Sequence, residues 1–577
     1  MRIYHMNLLR FVLALILTGS CFSARAQSLL YGEILGKPTA SSVSVKVFFA
    51  DPAELAVQYG TTSGNLSQQT PWTTFPANEP AEIMVNGLTA NTKYFYRLIY
   101  RSPGTTGFNT RPERFFHTQR PVGTAFTFVV QADPHLDAQS DTAVYTRCLQ
   151  NQLDDVPDFM IDLGDFLMTD KLKRTSTNQI PFDTIPFRCK LLRSYYEKAG
   201  HSIPIFNVLG NHEGEAGWFN NGTANNIAVW DAQQRNKYFN NPEPDGFYSG
   251  DTSNTPFVGK RKSYFAWHWG DALFIVIDPY WYTKPKPDSL NGWRWTLGKT
   301  QYDWLKNTLE TSNATYKFLF SHQIVGGTAE GRGGVEVAHL YEWGGKNLDG
   351  TPGFEAKRPG WYKPIKELLE ENRVNIFFHG HDHFFGKQQR NCLFYQETPQ
   401  PSHPNYSTVN YADDYGYFEG QILPNSGHIR VNVSSAGVRV DYVRVYKPEN
   451  ETPTRQNKDV SATYFIGPVN CYDSLTTGVP ILWNSKYTDE LIFPNPSDKG
   501  VQIEFGLAVS EQCELEILDP TGKRITTMLG RSPVPAGRFT VFWDGKDAVG
   551  RKLPAGMYSY LLTKEKSGIS TGKIILK

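Results

Sequence analysis

Cysteine is scarce in this sequence, with six among 577 residues. Cys21 lies near the N-terminus, and Cys148, Cys189, Cys392, Cys471 and Cys513 are scattered without CxxC spacing. Such a set is not a disulfide framework. Small buried hydrophobes account for most of it, and pairing among the five is open. An excess of one charge is also missing, because Lys plus Arg (58) balances Asp plus Glu (57). A chain without an electrostatic footprint argues against a nucleic-acid partner or an anionic membrane surface. Beyond the first residues no apolar run is long enough to cross a bilayer, so no transmembrane segment is expected. Internal repeats and long charge runs are absent. Gly (49) and Pro (36) stay below low-complexity levels, and the 40% hydrophobic content excludes a disordered chain.

What is present begins with a leader. Arg2 and Arg10 precede an apolar stretch from Phe11 to Leu17, and Ala24-Arg25-Ala26 follows, the layout of a secretory signal peptide over residues 1–26. A lipoprotein reading through Cys21 is disfavoured by Thr18, where such signals carry Leu. The length predicts several domains, and 13 Trp with 30 Tyr suggest strand-rich ones. Residues 28–118 read as short strands broken by turn residues, with strict alternation in Val43-Ser-Val-Lys-Val47, and predict a small antiparallel sandwich. The string Gly87-Leu88, Thr92, Tyr94, Tyr96-Arg97 resembles the fibronectin type III pattern.

Over 121–447 the character changes. Five apolar runs of buried-strand length recur: Phe126–Val130, Phe159–Leu163, Ile203–Leu209, Phe318–Phe320 and Val374–Phe378. Helical stretches such as Gln301–Thr308 and Trp361–Glu371 separate them, and His428–Asn432 and Val438–Tyr446 return to strand. Continuous apolar strands alternating with helices predict mixed sheets sandwiched by helices. Residues 448–487 read as a linker or an extension, and 489–577 as a further all-β module with strands at Gln502–Phe505, Leu515–Leu518, Thr540–Phe542 and Tyr558–Leu562. The expected architecture is multidomain: a central α/β sandwich of two mixed sheets flanked by helices, between two small all-β sandwich domains.

Each of the five runs ends in polar groups. In order these are Asp133-Pro-His135, Gly164-Asp165, Gly210-Asn211-His212-Glu213, His322 and His379-Gly-His381-Asp-His383. Ligands of open α/β sheets bind beyond the carboxyl ends of the strands, so these groups can converge. Asp, Asn and His together suit borderline divalent or trivalent metals. The glycines before Asp165, Asn211 and His381 are expected to permit tight backbone turns. A lone Asp-x-His is weak evidence, but five histidines of 13 at strand ends in one order are not an accident.

The blocks D-x-H, G-D, G-N-H-[DE], H and G-H-x-H resemble the calcineurin-like metallophosphoesterase superfamily across roughly 130–385. The resemblance implies two metal ions per chain, iron, manganese or zinc. It places one on Asp133, His135 and His383 and the other on Asn211, His322 and His381, with Asp165 bridging. It leaves His212 as a general acid facing the leaving group, with Glu213 as its expected orienting group. A hydroxide shared by the ions would attack the phosphorus of a small phosphomonoester in line. Purple acid phosphatases resemble this layout, and fibronectin-like domains precede their catalytic domains. They place Tyr three residues after the bridging Asp, where this chain has Met168, which puts an obligatory ferric ion in doubt. The chain continues G-N-H-E with Gly214-Glu215-Ala216, unlike the bacterial nucleotidases. An extracellular phosphatase of purple-acid-phosphatase type fits best. Hydrolysis of phosphodiesters or cyclic nucleotides is the alternative, and a non-catalytic surface binding protein the third.

The insertion between the third and fourth blocks holds Trp218, Trp230, Trp267, Trp269, Trp281, Trp293 and Trp295. Core packing is the favoured reading, with Trp218 and Phe219 as candidate walls of the site. In the last module, Phe493-Pro-Asn-Pro496, Trp543-Asp-Gly545, Gly556-Met-Tyr558 and the final Lys573-Ile-Ile-Leu-Lys577 resemble type IX secretion sorting domains of Bacteroidetes. They are also similar to the immunoglobulin-like module of flagellar hook-capping proteins. The first resemblance implies secretion machinery as a partner and delivery through the periplasm to the cell surface or beyond.

Overall fold

The computed structural model describes residues 27–174, 179–288, 291–409, 411–467 and 491–577, the last span without 494, 498–499, 508–510, 535–536 and 567. The expected leader and most of the connection before the last module lie outside the described residues. Two units result. The first runs to Ser435 and includes Arg439–Tyr464, and the second is the C-terminal module.

The N-terminal part is an antiparallel sandwich, as the turn spacing predicts. One sheet is formed by Leu29–Gly36, Ser42–Phe49 and Pro80–Asn86, and the other centres on the pair Ala53–Gly60 and Lys93–Arg101. Val43, Val45 and Val47 point into its core. Their polar partners are not solvated, which the alternation alone suggests; Ser44 and Lys46 are buried too. The reason is the neighbouring domain: Lys46 Nζ donates to the carbonyls of Lys237 (3.1 Å) and Phe239 (3.0 Å). The buried Arg193 guanidinium reciprocates, donating to Gly32 O at 3.0 Å and Lys46 O at 3.1 Å.

The central domain is a pair of sheets. In the six-stranded sheet Ile205–Asn207, Phe159–Asp162 and Phe126–Gln131 run parallel, Gly427–Ser434 is antiparallel to the last, and Gly437–Arg444 and Val460–Ile466 complete it. In the eight-stranded sheet Ala272–Val276, Tyr316–Phe320, Ile376–His379 and Leu393–Glu397 are parallel, with antiparallel strands at both edges. The unbroken apolar runs resolve into two buried faces, because period-two side chains meet the other sheet on one side and helices on the other. Between the sheets lies an aromatic layer in which Phe128 contacts Phe274 at 5.0 Å and Phe318 at 5.7 Å. Behind the eight-stranded sheet, Leu319 and Phe377 pack on Leu305, Leu309, Leu368 and Leu369 of the helices Lys299–Glu310 and Ile365–Glu371. Behind the six-stranded sheet, Val129 and Met160 pack on Tyr145, Leu149 and Leu192 of the helices Thr142–Asp154 and Thr184–Gly200. Each such side chain contributes roughly 1.5–3 kcal/mol of burial, so both helical layers are held firmly to their sheets.

The segment expected as a linker or extension opens as an extension, since Val460–Ile466 is an edge strand of the six-stranded sheet. The C-terminal module pairs a three-stranded sheet (Leu491–Phe493, Val501–Leu507, Gly537–Trp543) with a four-stranded one (Arg524–Val534, Glu511–Leu518, Gly556–Lys564, Gly568–Leu576). Ile503, Phe505, Leu515, Ile517, Trp543 and Leu562 fill its core. Cys148, Cys189 and Cys513 are free and buried, as the hydrophobe reading expects, and Cys392 is disulfide-bonded.

Candidate metal centre

The carboxyl ends of the strands Phe126–Gln131, Phe159–Asp162, Ile205–Asn207, Tyr316–Phe320 and Ile376–His379 bring the five polar blocks together. Asp133, His135 and His383 form one group able to hold an ion, and Asp165, His322 and His381 a second. Asp133 Oδ1 is 3.3 Å from His383 Nε2 and 3.7 Å from both His135 Nε2 and His322 Nε2. Asp165 Oδ2 is 3.2 Å from His322 Nε2 and 3.8 Å from His135 Nε2, so it faces both groups. Asn211 joins through Oδ1, 3.1 Å from His322 Nε2.

Backbone conformation at the site is unusual. Asp133, His135, Asp165, His381 and His383 all have positive φ, between 50° and 81°. Non-glycine residues in the left-handed region are strained, and such residues cluster where a site must aim side chains sharply. Of the three glycines, Gly164 alone needs positive φ, at 112°. Gly380 serves close approach: a Cβ there would lie 2.5 Å from Ala132 Cβ and 2.6 Å from Asp133 Oδ2. A Cβ on Gly210 would strike the Asp165 carboxylate.

Hydrogen bonds fix the tautomers. His322 Nδ1 donates to Leu163 O at 3.0 Å, so the lone pair of Nε2 faces the oxygens of Asp165 and Asn211. His381 Nε2 donates to Glu330 O at 3.2 Å, which leaves Nδ1 for the centre. Asp133 Oδ1 and both ring nitrogens of His135 are buried without a hydrogen-bond partner. Burial opposes a charged imidazole, yet Asp133, Asp137 and Asp165 outweigh it and push His135 up to about 10. Against the same burial, Asp165 and Asp133 push His322 up to about 9. Convergent lone pairs, orphaned buried donors and acceptors, and carboxylates that draw protons onto histidine all describe a site built for cations. The residues present therefore fit a pair of metal ions.

Support around the site comes from groups that sequence reading did not single out. His212 Nδ1 donates to Asp170 Oδ1 at 2.9 Å. Glu213, expected to orient His212, does not. Its carboxylate accepts the N–H groups of Gly210 (2.5 Å), Asp165 (2.8 Å), Phe166 (2.9 Å) and Leu167 (3.0 Å). Four backbone donors, three from the turn after Asp165 and one from Gly210, are satisfied by this one buried carboxylate, which ties the two loops together. His379 is held by Glu397 at 2.8 Å, apart from both groups of metal-binding side chains. Arg188 donates to the carbonyls of His135, Leu136 and Leu167, tying the helix Thr184–Gly200 to the Asp133–His135 turn. His403 stands at the rim, where burial and the imidazoles of His383 and His135 depress its pKa. Its neighbour Ser402 donates to Pro134 O at 2.9 Å. Asp170, Arg188, Glu397 and Ser402 carry no spacing signal, because they reach the site from a short 3-10 turn, a helix, a strand end and a loop in turn. Trp267 and Trp269 are fully buried, and Trp218 and Phe219 pack against the core behind the eight-stranded sheet, in line with core packing.

A two-sheet sandwich with Asp, Asn and His converging at its strand ends is the framework of a metallophosphoesterase. Residues 126–385 match the family model of the calcineurin-like phosphoesterases, and residues 495–568 that of the FlgD Ig-like domain. The first match takes in all five polar blocks of the site. Among solved structures it is similar to PhoD, with 15% identity over 77% of this chain and 91% of PhoD and a TM-score of 0.55. It is also similar to the purple acid phosphatase PPD1 of yellow lupin (Lupinus luteus), with 12% identity over 76% of this chain and 74% of that one and a TM-score of 0.52. At such identities the likeness is one of fold. No curated protein matches.

Proposed function

We propose that the protein is a dinuclear-metal phosphoesterase that hydrolyses small phosphomonoesters. The observation that carries this reading is the set of orphaned buried atoms, Asp133 Oδ1 and both nitrogens of His135, facing Asp165, His322 and His383. Asp133, His135 and His383 would hold one ion, Asn211, His322 and His381 the other, and Asp165 both. When bound, such a pair neutralises phosphoryl oxygens and lowers the pKa of a shared water. This chain's own residues would do the rest. His212 Nε2 lies 3.8 Å from Asp165 Oδ2, so the ring edge faces the reaction site and would give its proton to the departing alkoxide. Asp170 would hold the ring in that orientation. Met168 is buried three residues after Asp165 and offers no phenolate, so we infer a centre without the tyrosinate-to-iron bond that gives purple acid phosphatases their colour.

The chain would be exported, with residues 1–26 as signal peptide and 489–577 as a surface-sorting address read by secretion machinery. The Ig-like match over 495–568 supports a separate module there. Metal analysis combined with a panel of mono- and diesters tests the reading. Two ions per chain and preference for monoesters are expected, and a metal-free protein without turnover would overturn it.

A further inference from the structure

A cleft of about 830 Å³ lies between the N-terminal sandwich and the helices Thr142–Asp154 and Thr184–Gly200. None of the proposed metal ligands lines it. Thr142, Thr146 and Gln150 line one wall at four-residue spacing, so a single helix face presents two hydroxyls and an amide. Gln150 Nε2 is taken up by Asp154 at 2.7 Å, leaving its carbonyl oxygen for the cleft. Facing them are Arg111 and Arg114 of the sandwich and Lys198 of the second helix.

The charges of the cleft do not cancel. Arg111 is paired with the buried Glu33 at 3.1 Å, and Arg147 with Glu451 at 2.6 Å. Glu197 accepts the N–H of Gly32 and stands beside the buried Arg193, which has no other nearby carboxylate to balance it. Arg114 and Lys198 are left, with no ion pair among the described residues. Moreover, Arg114 Nε is buried without a hydrogen-bond partner. A second hollow of about 420 Å³ reaches Arg114 from the other side, beside His201 and Ser202. An unsatisfied buried N–H costs on the order of 1–3 kcal/mol, so its persistence calls for a partner that the protein itself does not supply. A planar guanidinium suits an oxyanion that can accept two bonds at once.

We propose that this cleft binds a saccharide bearing a sulfate or phosphate group, the anion on Arg114 and Lys198 and the sugar hydroxyls along Thr142, Thr146 and Gln150. A bare anion would use the cations and leave the polar helix face idle, whereas an anionic sugar uses both. The site joins two domains of one unit, so occupancy should also clamp the sandwich to the helices.

Calorimetric titration of the full metal-loaded chain with glucose 6-sulfate tests this, with glucose and inorganic sulfate as reference arms. One molecule of glucose 6-sulfate should bind per chain, more tightly than either reference. The double variant Arg114→Gln, Lys198→Gln should weaken it about tenfold or more, while His212→Ala leaves it unchanged. Thr146→Val should weaken glucose 6-sulfate and spare inorganic sulfate. Lys198 is exposed on its helix, so Lys198→Gln alone tests the site even if replacement of Arg114 unfolds the chain. Binding insensitive to Lys198→Gln and Arg114→Gln, or no heat up to the order of 10 mM ligand, would overturn the proposal.

Discussion

Asp170 Oδ1 stands 2.9 Å from His212 Nδ1, and of the two groups only the imidazole can donate. The bond fixes which nitrogen points at the reaction site and holds the ring there. Asp170→Asn should retain both metals and lower kcat on alkyl phosphates by roughly 10- to 100-fold. An aryl phosphate with a good leaving group should suffer less. Equal losses on both substrates would make Asp170 a structural residue only.

The bridge is the second test. Asp165 faces both groups of metal-binding side chains, and its Oδ1 also accepts the His212 N–H at 2.9 Å. Asp165→Asn removes the shared charge and should lose metal together with nearly all turnover. Two ions per chain in the purified variant, with activity intact, would show that the bridging role belongs elsewhere.

Glu213 predicts a stability effect where the sequence suggested a catalytic one. Its carboxylate collects three backbone N–H groups at the turn that carries Asp165 and a fourth from Gly210. Glu213→Gln turns an amide donor toward some of those donors and should cost about 2–4 kcal/mol in urea unfolding. A loss below about 0.5 kcal/mol would mean that the turn satisfies itself.

Acid sensitivity has a local source at the junction of the sandwich and the central domain. Burial, reinforced by Arg114 and Arg111, lowers His201 to about 4. The folded state therefore binds this proton less well than the unfolded chain, so stability rises with pH between about 4 and 6.5 and is lost on acidification through that window. The contribution is at most about 3 kcal/mol. His201→Asn should narrow the difference between urea midpoints at pH 7 and pH 4.5. An unchanged difference would place the acid-sensitive group elsewhere.

The proposed ligands were legible because metal chemistry restricts such groups to a few residue types, and strand ends fix where these stand in sequence. The apolar strands were legible for the same reason: burial on both faces leaves only Thr127 polar in Phe126–Val130 and no polar position in Phe318–Phe320. Asp170, Glu397 and Arg188 were not, since a carboxylate or guanidinium that braces a ligand can arrive from any loop. The glycines were placed correctly for partly wrong reasons, as Gly210 and Gly380 make room for carboxylates while the ligands themselves adopt the strained turns. Lys46 shows the limit of alternation, because a polar residue on the outer face of one domain can be the inner face of an interface.

The last prediction concerns the C-terminal module. Every proposed ligand lies between Asp133 and His383, and the module has a core of its own around Phe505, Leu515 and Trp543. A chain ending after residue 487 should therefore fold, bind two metals and hydrolyse phosphoesters with unchanged kcat and KM. The position of the cut matters. Val460–Ile466 is the edge strand of the six-stranded sheet, and Asn457 exchanges hydrogen bonds with Asn151 at 2.8 and 2.9 Å. A chain ending at 447 would strip that edge, take Tyr464 away from Phe394 and uncover the neighbouring strand, and should lose stability along with activity. Comparing the two truncations separates an address from a structural part. Full activity after 487 with loss after 447 is the expected pair, and in the native host the longer form should stay active but remain inside the outer membrane. A soluble, metal-loaded chain ending after 487 that has lost turnover would show that the module belongs to the working enzyme.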